Sequence, residues 1–355
     1  MPDFTPHPEL LILTPEGLFC PAGGFHVDPW RPVERAIVTH GHADHARRGH
    51  RHVLTAASGV GVLQRRIGGQ DTTIEGIAYG ERRGIGRAEV SLHPAGHVLG
   101  SSQIRIEVGG RVWVFSGDYA RCPNPTCEPF EVVKCHRFIT ECTFGLPLYR
   151  WPDPAEVESR LRSIVSARLL DGLHTVIGAY GLGKAQRLLA ALEPLAGEDG
   201  VPILCHGAVE NMNDAYREAG VALPPTHPAN RTTVASLDRP AIVVAPPSAL
   251  SGPWLRTFQP CATIVASGWT TLRGPRRRNL ADSTVVLSDH VDWPGLLRTV
   301  DESGCEEVGL THGFVETGAR WFEEQGLRSI VYRTGYTGDD GDEAPEPTSE
   351  SEARP

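Results

Sequence analysis

The residues best suited to chemistry lie in one short stretch, 40–45, which reads His-Gly-His-Ala-Asp-His. The apolar run before it, 36–38, predicts a buried strand. His40 and His42 are two residues apart, so in extended backbone their side chains point the same way. Asp44 and His45 follow where the chain is expected to enter a helix. Adjacent side chains in a helix point in different directions. The stretch therefore predicts two pairs of ligands for two metal ions, about 3.5–4 Å apart in two-metal sites.

A histidine-rich surface loop is the alternative interpretation of this stretch. The chain has 15 histidines, and chance placement rarely produces such an ordered pattern. We therefore favour the metal site.

Further acids and a histidine follow apolar segments. His97 lies in a tight glycine turn, where the backbone can approach an ion closely. Asp118 follows a predicted strand and has two oxygens with which to bridge two metals. Glu141 ends an apolar strand, where an unpaired acid is costly, so it predicts a partner that is either a ligand histidine or a catalytic one. Asp28 either orients a ligand histidine or forms the turn before Pro29.

Length and composition bound the class of protein. The chain has 355 residues, 40% hydrophobic and 22% charged, which is enough for two globular domains. No apolar run approaches the ~20 residues of a membrane span. The N-terminus lacks a basic region followed by an apolar core, and the eight cysteines are scattered. We expect a cytoplasmic protein with reduced thiols and no membrane association.

The net charge of −9 is concentrated at the C-terminus. Residues 338–355 carry seven acids and one arginine, which leaves about three negative charges for the rest of the chain. This tail has almost nothing apolar, so we expect it to be disordered. Overall acidity therefore does not argue against a nucleic acid as partner.

The order of these motifs resembles the metallo-β-lactamase superfamily. The series is His-x-His-x-Asp-His at 40–45, then His97, then Asp118. The stretch 140–145, Thr-Glu-Cys-Thr-Phe-Gly, resembles the glutamate motif of its nucleic-acid-processing β-CASP branch, which includes ribonuclease J, the cleavage-polyadenylation endonuclease and Artemis-type repair nucleases. Residues 288–292, Ser-Asp-His-Val-Asp, and 311–313, Thr-His-Gly, resemble the later motifs of that branch. One position departs from the pattern of that branch: Cys142 stands where the branch usually has Ser or Ala.

This resemblance covers about 18–335 and implies a domain organisation. The fold would be α/β, a four-layer αββα metallo-β-lactamase fold with an inserted α/β β-CASP cap. The metallo-β-lactamase domain would comprise 1–150 and the return segment 281–337, with the cap at 151–280 and the disordered acidic tail at 338–355. Strands and helices alternate within 151–280, which suggests a small parallel sheet.

The resemblance also implies roles for individual residues. One metal would be held by His40, His42 and His97 and the other by Asp44, His45 and His312, with Asp118 bridging. Neutral imidazole and carboxylate suit zinc, although manganese and iron are compatible. His290 would be the general acid for the leaving oxygen, held in place by Glu141.

Basic residues of the cap are candidates for contact with nucleic acid. Lys184 opens a helix after a glycine turn, and such a helix N-terminus favours anions. An arginine cluster would bind phosphates, with a solvated loop as the alternative; its members are Arg273, Arg276, Arg277 and Arg278.

Within the branch, the segments 20–24, 28–32 and 143–151 most resemble the bacterial DNA-ligase-associated exonuclease group. The resemblance implies a DNA exonuclease that acts in repair, on DNA that is single-stranded or has a free end, in association with a DNA ligase and a helicase. An RNA-processing endonuclease or exonuclease with the same site is the alternative. A small-ester hydrolase is disfavoured by the cap, and a catalytically inactive binding module by the complete ligand set.

Overall fold

The computed structural model describes residues 9–196, 200–272 and 281–335. Three sheets account for all its named strands. Two of them lie face to face, and the third belongs to an α/β unit inserted between consecutive strands of the second sheet.

The first sheet has six strands in chain order. The first three are antiparallel, and the last three continue in parallel. Its strands are Ile12–Leu13 (β1), Leu18–Cys20 (β2), Phe25–Val27 (β3), Arg35–Ile37 (β4), His52–Ala56 (β5) and Thr73–Ile77 (β6).

The second sheet has seven strands in the order β19-β18-β11-β10-β9-β8-β7. Its first four strands in the chain form an antiparallel meander, and the later ones add in parallel. These strands are Arg83–Ile85 (β7), Ala88–Pro94 (β8), Ser102–Val108 (β9), Arg111–Phe115 (β10), Arg137–Cys142 (β11), Glu307–Gly313 (β18) and Arg328–Val331 (β19).

Alternation along the strands explains why the two sheets pack together. In β10, Trp113 and Phe115 face the core shared with the first sheet, whereas Val112 and Val114 face the opposite side. Because successive side chains of a strand point to opposite faces, a strand that is apolar throughout must be covered on both. The helix Val60–Ile67 (α1) covers the outer face of the first sheet.

Two helices from the end of the chain cover the outer face of the second sheet. They are Trp293–Ser303 (α6) and Val315–Glu324 (α7). The result is four layers in the order helix, sheet, sheet, helix, which we call the sandwich. The predicted αββα fold with an inserted α/β unit is confirmed.

The third sheet is parallel in every pairing, as its alternation of strands and helices predicted. Its order is β14-β13-β15-β12-β16-β17. The strands are His174–Gly178 (β12), Ile203–Cys205 (β13), His227–Pro228 (β14), Ile242–Ala245 (β15), Cys261–Ala266 (β16) and Ser283–Val285 (β17).

Helices cover both faces of this sheet. We call the sheet and these helices together the insert. Its buried strands are apolar on both faces, as in parallel sheets generally, and each face carries its own cluster of apolar side chains. The helices are Pro154–Leu170 (α2), Lys184–Leu192 (α3), Gly207–Glu218 (α4) and Arg231–Ala235 (α5).

The predicted domain boundaries at 150 and 280 stay a prediction. Because β17 pairs with β16 of the third sheet, we place the end of the insert after Val285 rather than at residue 280. The predicted acidic tail at 338–355 lies outside the described residues.

None of the helices in the described ranges combines the length and the apolar character that crossing a lipid bilayer requires.

A buried arginine at the start of β11, an interior strand of the second sheet, contacts the beginning of the described chain. Arg137 is 3% exposed and donates from Nε to Glu307 Oε2 at 2.7 Å and from Nη2 to Glu9 Oε1 at 3.0 Å. Its guanidinium lies 3.7 Å from the centre of the Trp113 ring. Removing one partner of a buried ion pair is strongly destabilising because the other charge stays buried.

We therefore predict that Arg137→Met lowers the free energy of unfolding by about 3 kcal/mol, measured by urea denaturation. The control is Arg320→Met, since Arg320 pairs with Glu324 on the surface and its side chain is 83% exposed. Equal stability of the two variants would contradict a structural role for the buried pair.

Candidate metal centre

The strand ends bring the predicted ligands to one edge of the sandwich. The stretch 38–45 follows β4, His97 follows β8, Asp118 follows β10, and His312 lies near the end of β18. Strands β8, β10 and β18 run in the same direction, so their carboxyl ends meet there. Gly100, in the turn after His97, packs directly against the backbone of Gly59: an added Cβ would lie 2.1 Å from Gly59 Cα, so a side chain would not fit there.

The seven predicted ligands form two neighbouring groups. In each group, one ligand atom from every residue lies within 4.8 Å of the others. The first group is His40, His42, His97 and Asp118, and the second is Asp44, His45 and His312.

Asp118 lies between the two groups. Its Oδ2 is 3.5 Å from His40 Nε2 in the first group and 3.5 Å from His45 Nε2 in the second. A carboxylate in this position can serve both groups, as the sequence predicted for a bridging acid. The assignment of these residues as ligands stays a prediction.

Hydrogen bonds to backbone carbonyls fix the tautomers of two histidines. His42 Nε2 lies 3.1 Å from the carbonyl oxygen of Leu182, and His97 Nδ1 lies 2.7 Å from that of Asp289. A carbonyl oxygen accepts and never donates, so both of these nitrogens carry protons. The remaining nitrogens, His42 Nδ1 and His97 Nε2, are 3.0 Å apart.

In the neutral rings these two nitrogens present lone pairs to each other. Neither can donate, so the pair is not a hydrogen bond between neutral imidazoles and is repulsive. A cation that both nitrogens bind would relieve the repulsion. Two nitrogen ligands about 2.0–2.1 Å from a tetrahedral zinc ion lie about 3.3–3.4 Å apart, which is close to the observed separation.

Asp28 orients two more histidines from outside the groups. Its Oδ2 lies 2.7 Å from His45 Nδ1 and accepts from Thr39 Oγ1 at 2.6 Å. The threonine oxygen, whose proton is thereby committed, lies 3.0 Å from His40 Nδ1 and accepts from it. One carboxylate thus directs the Nε2 atoms of His40 and His45 towards Asp118. The structure favours the predicted orienting role of Asp28 over a simple turn before proline.

Strained backbone occurs at two site residues. Among the described non-glycine residues, positive φ angles occur at Asp28, with φ 39°, and at His312, with φ 57°. Such conformations cost about 1–3 kcal/mol each and persist where the surroundings fix them. Their occurrence here agrees with a site whose geometry is held in place by its neighbours.

Burial and neighbouring charges set the protonation of the histidines. Burial, together with His45 and His97, holds the pKa of His40 well below its usual value. Burial and His42 lower the pKa of His97 to about 3. Burial opposes the charged form of His45 as well, but Asp44 and Asp118 raise its pKa well above the usual value. His40 and His97 are therefore neutral near pH 7, the form that binds metals.

The residues present fit divalent cations. His40 Nε2, Asp44 Oδ1 and Asp118 Oδ1 are buried and make no hydrogen bond to any described residue, and orphaned buried polar atoms are costly. Carboxylates of Asp28, Asp44 and Asp118 are each at most 4% exposed. Buried charges of one sign require compensation, and these groups of histidines and aspartates could hold metal ions.

The predicted pair of His290 and Glu141 adjoins the first group. His290 Nδ1 lies 2.8 Å from Glu141 Oε2, and Asp118, Glu141 and His290 form a further cluster of potential ligands. Burial would lower the pKa of His290, but Glu141 and Asp118 raise it well above its usual value. Glu141 therefore contacts the histidine that the resemblance implied, while the catalytic roles of the two residues stay a prediction.

Lys184 is not placed as the sequence predicted. Its side chain is 1% exposed, and Nζ lies 3.4 Å from Asp289 Oδ1. Burial would raise the pKa of Asp289, but Lys184 holds it below its usual value. This ion pair opposes the predicted direct contact of Lys184 with phosphate. The predicted arginines Arg273, Arg276, Arg277 and Arg278 lie outside the described residues.

Asp289, Leu182 and Thr39 touch the site and were not predicted from the sequence. Asp289 orients His97 through its carbonyl and pairs with Lys184, and Leu182 orients His42. The position of Asp289 beside His290 was an available signal. A backbone carbonyl carries no signature in a sequence, so Leu182 could not have been found.

Comparison with known proteins gives relatives in two groups. The chain is 30% identical over 316 residues to a protein of Opitutus terrae named "Probable DNA ligase", an alignment that covers 88% of this chain and 30% of that protein. It is 34% identical over 123 residues to the protein named "Endoribonuclease ysh1" of Emericella nidulans. This alignment covers 34% of this chain and 14% of that protein. The chain thus spans less than a third of the length of these relatives. No family model matches it.

A solved structure shares the fold. It is the crystal structure of a protein of unknown function from Enterococcus faecalis V583, with a TM-score of 0.59 and 12% sequence identity. The superposition covers 84% of this chain and 79% of that one.

We predict that Asp28→Asn weakens metal binding about 10- to 100-fold, the usual cost of losing a group that orients a ligand. The amide would accept less strongly from His45 and Thr39, so the Nε2 atoms of His45 and of His40, which donates to Thr39, would be held less firmly towards Asp118. The measurement is a competition titration of metal-free protein with Zn²⁺ and a chelator.

The matched control for this substitution is Asp238→Asn, because the Asp238 side chain is 89% exposed. Unchanged affinity in Asp28→Asn would contradict the orienting role of Asp28.

Proposed function

The chain belongs to the β-CASP branch of the metallo-β-lactamase superfamily, and on that premise we propose that it is a two-metal-dependent nuclease that hydrolyses phosphodiester bonds. The observation that carries the proposal is the placement of Asp118 Oδ2 3.5 Å from one histidine of each ligand group. Two adjacent cation sites that share a carboxylate are the arrangement used by two-metal phosphoesterases.

One ion would be held by His40, His42 and His97 and the other by Asp44, His45 and His312, with Asp118 shared. When bound, the two ions would supply an activated water as nucleophile and neutralise charge on the phosphate oxygens. The donor set of imidazoles and carboxylates suits zinc, manganese or iron, and we propose zinc.

His290 would donate the proton to the leaving oxygen. Its Nδ1 is engaged with Glu141, so Nε2 is the nitrogen available to donate. Glu141 is itself held by the backbone N–H of Tyr119 at 2.8 Å and by the hydroxyl of Thr143 at 2.6 Å. A fixed carboxylate favours the protonated ring, which is the form a general acid requires.

We propose DNA as the substrate and an exonuclease in repair as the role. The support is the relative named as a probable DNA ligase, whose alignment runs along 88% of this chain. Similarity to part of such a protein supports action on the ends that a ligase would join, in association with a DNA ligase. We propose association with a helicase from the resemblance to the ligase-associated group alone. The arginines at 273 and 276–278 are proposed to contact the DNA backbone.

An RNA-processing nuclease is the second candidate. The similarity to a protein named as an endoribonuclease favours it, although that alignment covers only 34% of this chain. Both candidates use the same site, so the substrate must be distinguished by assay.

The deciding experiment is digestion of matched single strands of DNA and RNA, labelled at the 5′ or the 3′ end. Metal-free protein is supplied with Zn²⁺, Mn²⁺ or Fe²⁺ in turn. Stepwise shortening of DNA with RNA intact supports the first proposal. Cleavage of RNA alone would replace it with the second candidate, and hydrolysis of neither strand would refute both.

Metal dependence of the site gives a second prediction. We expect His42→Ala to abolish hydrolysis and to lose one bound ion, because His42 supplies a nitrogen to the first group. Activity and metal content are measured on the same preparations, with His227→Ala as the control, since His227 is exposed in the insert. Full hydrolysis by purified His42→Ala would show that the metal assignment is wrong.

The role of His290 gives a third prediction. We expect His290→Gln to lower kcat about 10²- to 10⁴-fold, the usual contribution of general acid catalysis, while both ions stay bound. Single-turnover cleavage measures the rate, and a substrate with a good leaving group should restore much of it. A variant equally slow with that substrate would show that His290 does not protonate the leaving oxygen.

A further inference from the structure

The insert reaches into the candidate metal centre through the turn before α3. The carbonyl oxygen of Leu182 in this turn accepts from His42 Nε2 at 3.1 Å, across a separation of 140 residues. The hydrogen bond directs His42 Nδ1 towards His97. The acceptor that orients one proposed ligand therefore belongs to the insert, whereas all seven proposed ligands belong to the sandwich and its loops.

The insert also holds the peptide that orients His97. Lys184 Nζ lies 3.4 Å from Asp289 Oδ1, and Arg187 Nη1 donates to the carbonyl of Ser288 at 2.8 Å. Both cations come from the first turns of α3, and both are at most 5% exposed. The carbonyl of Asp289 in turn accepts from His97 Nδ1. Two ligands of the first group thus depend on contacts with the same helix end.

An apolar seam keeps the insert in this position. Side chains from both sides are buried together, and the Tyr216 hydroxyl accepts from the backbone N–H of Leu99 at 3.0 Å. Leu99 is two residues from His97, so the seam adjoins the metal centre. Its buried members are Val62 and Leu99 of the sandwich and Leu182, Met212, Ala215 and Tyr216 of the insert.

We propose that seating of the insert on the sandwich and binding of the metal ion held by His40, His42 and His97 are thermodynamically coupled. With the insert seated, Leu182 and the 288–289 peptide hold two ligand nitrogens towards the ion. With the insert displaced, His42 loses its acceptor and Lys184 and Arg187 no longer hold the 288–289 peptide against His97, so the ion is held less tightly. Because linkage is reciprocal, the bound ion also keeps the insert seated.

This inference rests on the proposed metal assignment and concerns regulation of that site. The second ion, on Asp44, His45 and His312, has its orienting group, Asp28, within the sandwich. Seating of the insert should therefore affect the first ion selectively. Displacement of the insert by an entering strand would weaken the hold on one ion and leave the other in place.

Gly183→Ala tests the coupling. Gly183 has φ 89°, which residues other than glycine rarely adopt, and an added Cβ would lie 2.2 Å from Val98 Cγ1 and 3.3 Å from Val98 Cβ. Rotation of the Val98 side chain would not relieve the backbone strain, so we expect the turn to shift away from the sandwich. Metal-free protein is titrated with Co²⁺, whose visible absorption reports the geometry of each site. We expect one ion to bind about 10- to 100-fold more weakly, with a changed spectrum, and the other to bind as in the unaltered protein.

The matched control is Gly207→Ala in the same insert, where an added Cβ meets nothing within 4 Å. Reciprocity is read from hydrogen exchange at the backbone N–H of Leu99. Adding Zn²⁺ should slow this exchange strongly in the unaltered protein and in Gly207→Ala, and much less in Gly183→Ala.

A second variant decides the question if Gly183→Ala fails to fold. Tyr216→Phe removes the acceptor of the Leu99 N–H at the seam. It should weaken the binding of the same ion, as Gly183→Ala does. In Tyr216→Phe the Leu99 N–H loses its acceptor directly, so only metal affinity is read from that variant. The coupling is refuted if Gly183→Ala folds and exchanges faster at Leu99 yet binds both ions with unaltered affinity, or if folded Tyr216→Phe binds both ions with unaltered affinity. If the unaltered protein binds no ion, the proposed function itself fails, so the two failures are distinguishable.

Discussion

The candidate site depends on one constraint, which is that the outward nitrogens of four buried imidazoles are all committed to acceptors. His40 donates to Thr39, His45 to Asp28, His42 to the carbonyl of Leu182 and His97 to that of Asp289. Each inner nitrogen is thereby directed at Asp118 or at another inner nitrogen. In the neutral rings, the inner nitrogens of His42 and His97 present lone pairs to each other at 3.0 Å, a repulsion in a dry interior that a bound cation would relieve.

Both the sandwich and the insert contribute groups that hold these histidines. The sandwich brings strand ends from two sheets to one edge, and its shared core leaves no freedom for those ends to separate without exposing apolar surface. Asp28 at the end of β3 reaches across to the 38–45 stretch and serves two histidines at once. The insert then supplies the carbonyl of Leu182 and, through Lys184 and Arg187, holds the 288–289 peptide whose carbonyl orients His97. The site is therefore a joint product of the sandwich and the insert.

The parts of the site that the sequence predicted are those with local order. His40, His42, Asp44 and His45 stand in one stretch, and Asp118 and Glu141 each end an apolar strand, so their types and spacing indicate chemistry directly. Asp28 was left open, because its role depends on contacts 11 and 17 residues along the chain. The parallel sheet of the insert followed from the alternation of its segments, whereas its last strand, β17, lay beyond the predicted boundary.

Other features depend on contacts that no local pattern contains. Lys184 has the type and position of an anion-binding residue at a helix start, but the return of the chain places Asp289 against it and buries both. The carbonyl of Leu182 is invisible in a sequence because every residue has one. Long-range packing decides such roles, and it becomes evident only when distant segments are seen together.

The most direct test of this account is an anomalous difference map from crystals grown with Zn²⁺ or Mn²⁺, collected at the absorption edge of the metal. We predict two peaks, one on each side of Asp118, with the first against His40, His42 and His97 and the second against Asp44, His45 and His312. Absence of any peak in that pocket, or metal bound elsewhere while the histidines stay as they are, would contradict it.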